Sequence, residues 1–187
     1  YSSSKLSFYY RNKFDEERRI TLHHHVSKVV IFYIDYKTKL TGGITMIIDL
    51  TYSCKMGCSH CMSDCKPEGK NMSIQVLKDS LDFLKKYQIP TWYFSGGEIF
   101  EHPDILKILE IIETEWMKES FRFPLALITN GRELVRNKKI YDYIYNLIKR
   151  HGKKYIYIQV TDDSRFYPDK LTEKERYWLS KIASVIE

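Results

Sequence analysis

From residue 44 onward, apolar residues alternate between two rhythms. Short β-branched and aromatic runs at 44–50, 91–95, 124–129 and 155–160 end in polar or glycine residues and predict strands. Between them the apolar spacing changes to three and four. Ile74, Leu77, Leu81 and Leu84 follow Ser73, a helix-capping residue, and Ile105, Ile108, Ile112 and Trp116 follow Pro103, which suits a first helical turn. Ile140, Ile144, Leu147 and Ile148 form a third stripe, closed by Gly152. Thr172 and Glu175 form a capping box before Trp178, Leu179, Ile182 and Ile186, so the chain is expected to end inside a helix. The result is four successive βα units, which pair their strands in parallel through right-handed crossovers.

Ahead of these units the pattern is weaker. Residues 1–25 read as a polar, irregular lead-in, while 29–36 and 44–50, joined by Thr41-Gly42-Gly43, predict a β-hairpin. The division expected is an extension over 1–43 and a core over 44–187. His23, His24 and His25 have no carboxylate or cysteine at ligand spacing beside them and fit a strand edge better than a metal site.

Composition narrows the classes. The 187 residues are 43% hydrophobic and 29% charged, as in an ordinary globular domain with a sufficient core. Every apolar run falls short of the roughly 18 residues of a membrane span, and the basic, Tyr-rich start is no signal peptide. The net charge of +6 comes from the two flanks, since residues 44–131 are net acidic. Those flanks lack aromatic–basic interleaving, which disfavours nucleic acid as a partner. All four cysteines, Cys54, Cys58, Cys61 and Cys65, fall within twelve residues, whereas disulfides would staple distant segments. They are expected to be ligands in a reducing, cytoplasmic compartment.

A parallel βα array opens the C-terminal ends of its strands on one rim, where such folds build their sites. Here the first strand leads into the cysteines, the second ends in Ser95-Gly96-Gly97-Glu98, the third in Thr129-Asn130-Gly131 and the fourth in Thr161-Asp162-Asp163. Cys54, Cys58 and Cys61 have the spacing C-x-x-x-C-x-x-C, with Gly57 easing the bend. Zinc ribbons pair two separated C-x-x-C knuckles, and no second knuckle exists. Three grouped thiolates instead suit an iron–sulfur cubane with one iron left open.

The cysteine triplet after a strand, followed 37 residues beyond Cys61 by Gly96-Gly97-Glu98 at the end of the next strand, resembles the radical S-adenosylmethionine (radical SAM) superfamily. The resemblance implies an α/β fold, a partial TIM-like (β/α) barrel of which four of six units are present, so the chain is expected to be the N-terminal piece of a longer one. It implies a [4Fe-4S] cluster on Cys54, Cys58 and Cys61 and S-adenosylmethionine (SAM) as co-substrate, cleaved reductively to a radical that abstracts hydrogen. Gly96 and Gly97 would let the backbone approach the ligand, Glu98 would accept from its ammonium, and Ser95 would add a polar contact. Thr161 and Asp163 match residues that contact the methionine carboxylate or ribose, and Asn130 shares the rim. The resemblance further implies an electron donor such as flavodoxin or ferredoxin, and a substrate for which a peptide or protein is preferred.

Three positions depart from the pattern. His60 stands where an aromatic residue is commonest, though its imidazole can still pack over a cluster, and Ile99 replaces a proline. Cys65 is extra. As a fourth ligand it would close the site and leave an electron-transfer protein without SAM chemistry, one rival reading; a zinc-stabilised interaction module is the other. Met56 and Met62 are expected to be packing residues.

Overall fold

The computed structural model of the chain describes residues 6–11, 17–22, 46–89, 92–119, 123–163 and 165–186. The histidine triplet and the 29–36 strand of the expected hairpin lie outside them. Two strands, β1 (Leu6–Arg11) and β2 (Glu17–Leu22), pair antiparallel within the segment expected to be irregular. Both carry β-formers, Phe8, Tyr9 and Tyr10 in one and Ile20 and Thr21 in the other, at the ends of a charged stretch that masks the pattern.

The core is a five-stranded sheet, all parallel, in the order β3 (Met46–Thr51), β4 (Trp92–Gly96), β5 (Leu125–Thr129), β6 (Ile156–Val160), β7 (Val185–Ile186). Sequential parallel order with a helix in each connection is the architecture of a partial β/α barrel. The four units expected are present. Ile186, expected on the last helix, instead belongs to β7, a two-residue strand beside β6. Ala183 ends that helix with an extended backbone and sets up the reversal.

One strand face carries Ile48, Leu50, Phe94, Leu127, Ile156, Ile158 and Val160, all essentially inaccessible. Against it pack Leu77, Leu81 and Leu84 of α1 (Ile74–Lys86), Ile108, Ile112 and Trp116 of α2 (Ile105–Met117), Ile144 and Leu147 of α4 (Lys138–His151), and Leu179 and Ile182 of α5 (Glu173–Ile182). α1, α2 and α4 contribute the i, i+3, i+4 stripes read from the sequence, whereas α5 contributes only Leu179 and Ile182, Trp178 being 44% exposed. On the opposite face, Ile47, Tyr93, Ser95, Ile128 and Gln159 are only half-buried.

Capping sets the helix ends. The Ser73 hydroxyl accepts from the Val76 N–H, and Thr172 and Glu175 make both halves of the capping box. Pro103 lies one residue before the Asp104 cap, outside the first turn where it was expected. Gly152 ends α4 with φ +86°, shortly after Lys149 and Arg150, whose positive charge suits a helix C-terminus. A five-residue helix, α3 (Arg132–Arg136), follows β5 without any stripe long enough to predict it.

Candidate functional site

The cysteine loop is fastened to the end of β4 by backbone. Gly97 N–H donates to the Thr51 carbonyl at 2.7 Å and Glu98 N–H to the Ser53 carbonyl at 2.8 Å, extending the β3–β4 pairing past the strand ends. Glycine is required for this contact. A Cβ on Gly96, whose φ is +145°, would lie 2.2 Å from the Thr51 oxygen, and one on Gly97 would lie 2.3 Å from the Ser53 oxygen. The close approach expected of these glycines toward a ligand is thus made toward the strand that launches Cys54. Beyond them, the 3₁₀ turn Ile99–Glu101 brings the Glu101 carboxylate to the Lys55 N–H, at 3.0 and 3.3 Å.

The far end of the loop is closed equally firmly. Tyr52 N–H donates to Lys70 and Met72 N–H to Leu50, so residues 52–72 leave β3 and return beside it. His102 then ties that return to α2. Its Nδ1 accepts from the Asp104 N–H at 3.0 Å, so Nε2 carries the proton and donates to the Met72 carbonyl at 3.0 Å.

Within the loop, Gly57 (φ +63°) and Asp64 (φ +47°) make left-handed bends that fold the thiols together. The Cys61 N–H donates to the Cys58 carbonyl at 3.3 Å, and the Cys65 N–H donates to the Cys61 sulfur at 3.3 Å. Cys54 is set apart and buried, its sulfur 4.0 Å from Asn130 Nδ2. Burial pushes the Cys54 thiol up to about 11, and burial with the neighbouring Cys61 pushes Cys65 up to about 12. Cys61 goes the other way: burial raises it, but the backbone N–H groups of Cys65 and Ser63 outweigh burial and hold it down. Soft thiols on one loop match an iron–sulfur cluster and not an oxygen-seeking cation. Among the described residues, no three His, Cys, Asp or Glu side chains are already closed around a metal-sized space. The donor chemistry fits.

Glu98 is fully buried. One carboxylate oxygen accepts from Thr129 Oγ1 at 2.7 Å and Phe100 N–H at 3.1 Å, and the other accepts from Asn130 N–H at 2.7 Å. Burial raises Glu98 to about 7 against those donors, which favour the charged form. Its observed partners therefore join the end of β4 to that of β5. Asn130 caps the next turn, its Oδ1 accepting from Arg132 N–H. Ser95 lies on the half-buried face, in register with Asp49 of β3. The half-buried Thr161 donates its N–H to the Thr129 carbonyl, and Asp163 is paired with Arg165, which lowers its carboxyl. The structure thus brings Cys54 and Asn130 together at the β3–β5 ends and leaves Asp163 in an outer loop.

Several residues beside the site were missed by motif. Arg132 is buried, donating to the carbonyls of Asn130 and Asp169 and to Asp162. Asp162, not Asp163, turns inward, and its second oxygen lies against Arg176. Tyr167 packs on Cys54 and Met56. A buried arginine next to Asn-Gly and a doubled aspartate were the available signals, but neither has a fixed spacing. His60 packs against Phe166, with ring centroids 4.6 Å apart, and Met62, expected to pack, is 96% exposed.

Comparison with known proteins agrees with this geometry. Over 109 residues, 58% of this chain, the sequence is 31% identical to the antilisterial bacteriocin subtilosin biosynthesis protein AlbA of Bacillus subtilis, covering 22% of that protein. Over 76 residues, 40% of this chain, it is 29% identical to the mycofactocin maturase MftC of Mycobacterium tuberculosis, covering 19% of it. The chain therefore spans about a fifth of the length of these curated relatives. Residues 48–182, from within β3 to the end of α5, match the family model of the radical SAM superfamily, and the chain belongs to that superfamily.

Proposed function

We propose that this chain carries the cofactor-binding core of a radical SAM enzyme that modifies a peptide. The observation that carries this reading is the junction of Cys54 with the Gly96–Glu98 segment. The two backbone bonds from Gly97 and Glu98 and the Glu101–Lys55 contact set the beginning of the thiol loop against the end of the next strand. Cys54, Cys58 and Cys61 would hold a [4Fe-4S] cluster. When bound and reduced, such a cluster supplies one electron to the sulfonium of SAM, releasing methionine and a 5′-deoxyadenosyl radical that takes a hydrogen atom from the substrate.

The chain's own residues do three things. The backbone lock at Gly96 and Gly97 fixes where Cys54 stands relative to β4. Ser95, on the half-buried face at the end of β4, offers a hydroxyl to a ligand lying across the strand ends. Asn130 Nδ2 and the half-buried Thr161 border the same edge, and Asp163, paired with Arg165, follows two residues after Thr161. Two relatives named for subtilosin biosynthesis and mycofactocin maturation support a peptide substrate over a nucleic acid. An electron carrier such as flavodoxin or ferredoxin would supply the reducing equivalent in a cytoplasmic setting. No helix among the described residues is long and apolar enough to cross a membrane.

A second reading has one observation in its favour. Cys65 donates its N–H to the Cys61 sulfur at 3.3 Å, so a four-thiolate, electron-transfer site is sterically close. Anaerobic incubation of the reconstituted protein with SAM and a strong reductant separates the two. The radical SAM reading predicts 5′-deoxyadenosine, lost in Cys58→Ala and kept in Cys65→Ala. A fully loaded protein that forms none would favour electron transfer.

A further inference from the structure

The loop after β6 covers the cysteines with an aromatic ring. The N–H groups of Phe166 and Tyr167 both donate to the Asp163 carbonyl, at 3.2 and 2.9 Å, turning the chain back toward the strand ends. The Tyr167 ring comes to rest on Cys54 and Met56, with Cys58 and Cys65 at its edge, in a small apolar cluster separate from the main core. Only 9% of Tyr167 and 8% of Cys54 remain exposed. His60, from the cysteine loop itself, lies nearly parallel to the ring, with centroids 6.0 Å apart and planes at 17°.

The ring also meets Arg132, whose guanidinium carbon stands 5.1 Å from the ring centroid. Every nitrogen of that guanidinium is already engaged: Nε and Nη2 with the Asp169 carbonyl, Nη1 with the Asn130 carbonyl, and Nη2 also with Asp162. Four of the five guanidinium N–H groups are therefore spent inside the protein. Its flat face toward Tyr167 remains, and Asp162 fixes that face in place.

We propose that Tyr167, backed by the Arg132–Asp162 pair, is a positioning residue that roofs the Cys54 end of the cysteine loop and keeps water and oxidants from that thiol. The shielding is a property of the thiol alone. Its redox consequence rests on the assignment of Cys54, Cys58 and Cys61 as cluster ligands. A buried aromatic ring excludes water and lowers the local dielectric, which disfavours the extra negative charge of a reduced cluster and holds its potential down.

Alkylation of the iron-free full chain with iodoacetamide, mapped by mass spectrometry, tests the roof directly. Tyr167→Ala is expected to speed modification of Cys54 about tenfold or more, because access controls thiol reactivity. Tyr167→Phe, which keeps the ring, should match the parent, and Tyr167→Leu, which keeps apolar bulk without the aromatic face, should fall between. Cys61 lies outside the Tyr167 cluster and provides the internal control. After anaerobic reconstitution, Tyr167→Ala should bleach faster in air and shift the midpoint potential to more positive values. Equal Cys54 rates in the parent and Tyr167→Ala would overturn the inference. A parent chain that takes up no iron and sulfide would instead defeat the cluster assignment, while the alkylation rates would still decide the roof.

Discussion

The two halves of the rim are built by different forces. At the ends of β3 and β4 the contacts are backbone to backbone, and two glycines exist because a Cβ would collide with a carbonyl oxygen. At the ends of β5 and β6 a single backbone bond, from the Thr161 N–H to the Thr129 carbonyl, is joined by side-chain contacts centred on a buried arginine whose partners are Asp162, two carbonyls and an aromatic ring. Backbone contacts need particular residues at fixed positions, so they leave a motif in the sequence. A side-chain network needs only that complementary groups meet, and it leaves almost none.

The largest expected effect breaks the second half. Asp162→Ala strands the Arg132 guanidinium in a site where the two side chains are 1% and 5% exposed. Unpairing a buried charge costs about 4 kcal/mol, measurable as a drop in the urea midpoint. A loss below about 1 kcal/mol would mean that this half of the rim is not held by the pair. The corresponding break in the first half is Gly96→Ala. A methyl 2.2 Å from the Thr51 oxygen, on a residue with φ +145°, should cost about 3 kcal/mol from overpacking and backbone strain together. Unchanged stability in that variant would remove the steric account of the motif.

Glu98 joins the two halves and sharpens the comparison through pH. Burial raises its carboxyl from an ordinary 4.5 to about 7, so folding favours the protonated form. Its contribution is complete below the ordinary carboxylate range and is lost as pH rises through about 7. Stability of the parent relative to Glu98→Gln should therefore fall between about pH 5 and pH 8 in denaturant titrations. A difference that stays flat over this range would show that the three hydrogen bonds keep the carboxylate ionised. The smallest effect lies at the cap of α5. Thr172→Ala removes the hydroxyl that accepts the Glu175 N–H and should cost about 1 kcal/mol without altering the thiol loop.

This contrast explains what could be read in advance. The β3, β4, β5 and β6 strands and the α1, α2, α4 and α5 helices were legible because strict periodicity and caps such as Ser73 and Thr172 mark them. The thiol loop and Gly96-Gly97-Glu98 were legible because both are short and local. The 3₁₀ turn and α3 were hidden because one turn of helix has no period. Asp162 and Asp163 are equivalent in sequence, and only the β6 pleat decides which one faces Arg132. Tyr167 could not be placed over Cys54, since the two are far apart in the chain and meet only through the packing of β6 against β5.

The most direct test of the cluster assignment is the electron paramagnetic resonance spectrum of the anaerobically reconstituted, reduced protein recorded with and without SAM. Binding of SAM at an open iron predicts a changed spectrum, at a loading of about four iron and four sulfide per chain. An identical spectrum at full loading would contradict the account and make Cys65 the fourth ligand of a closed site.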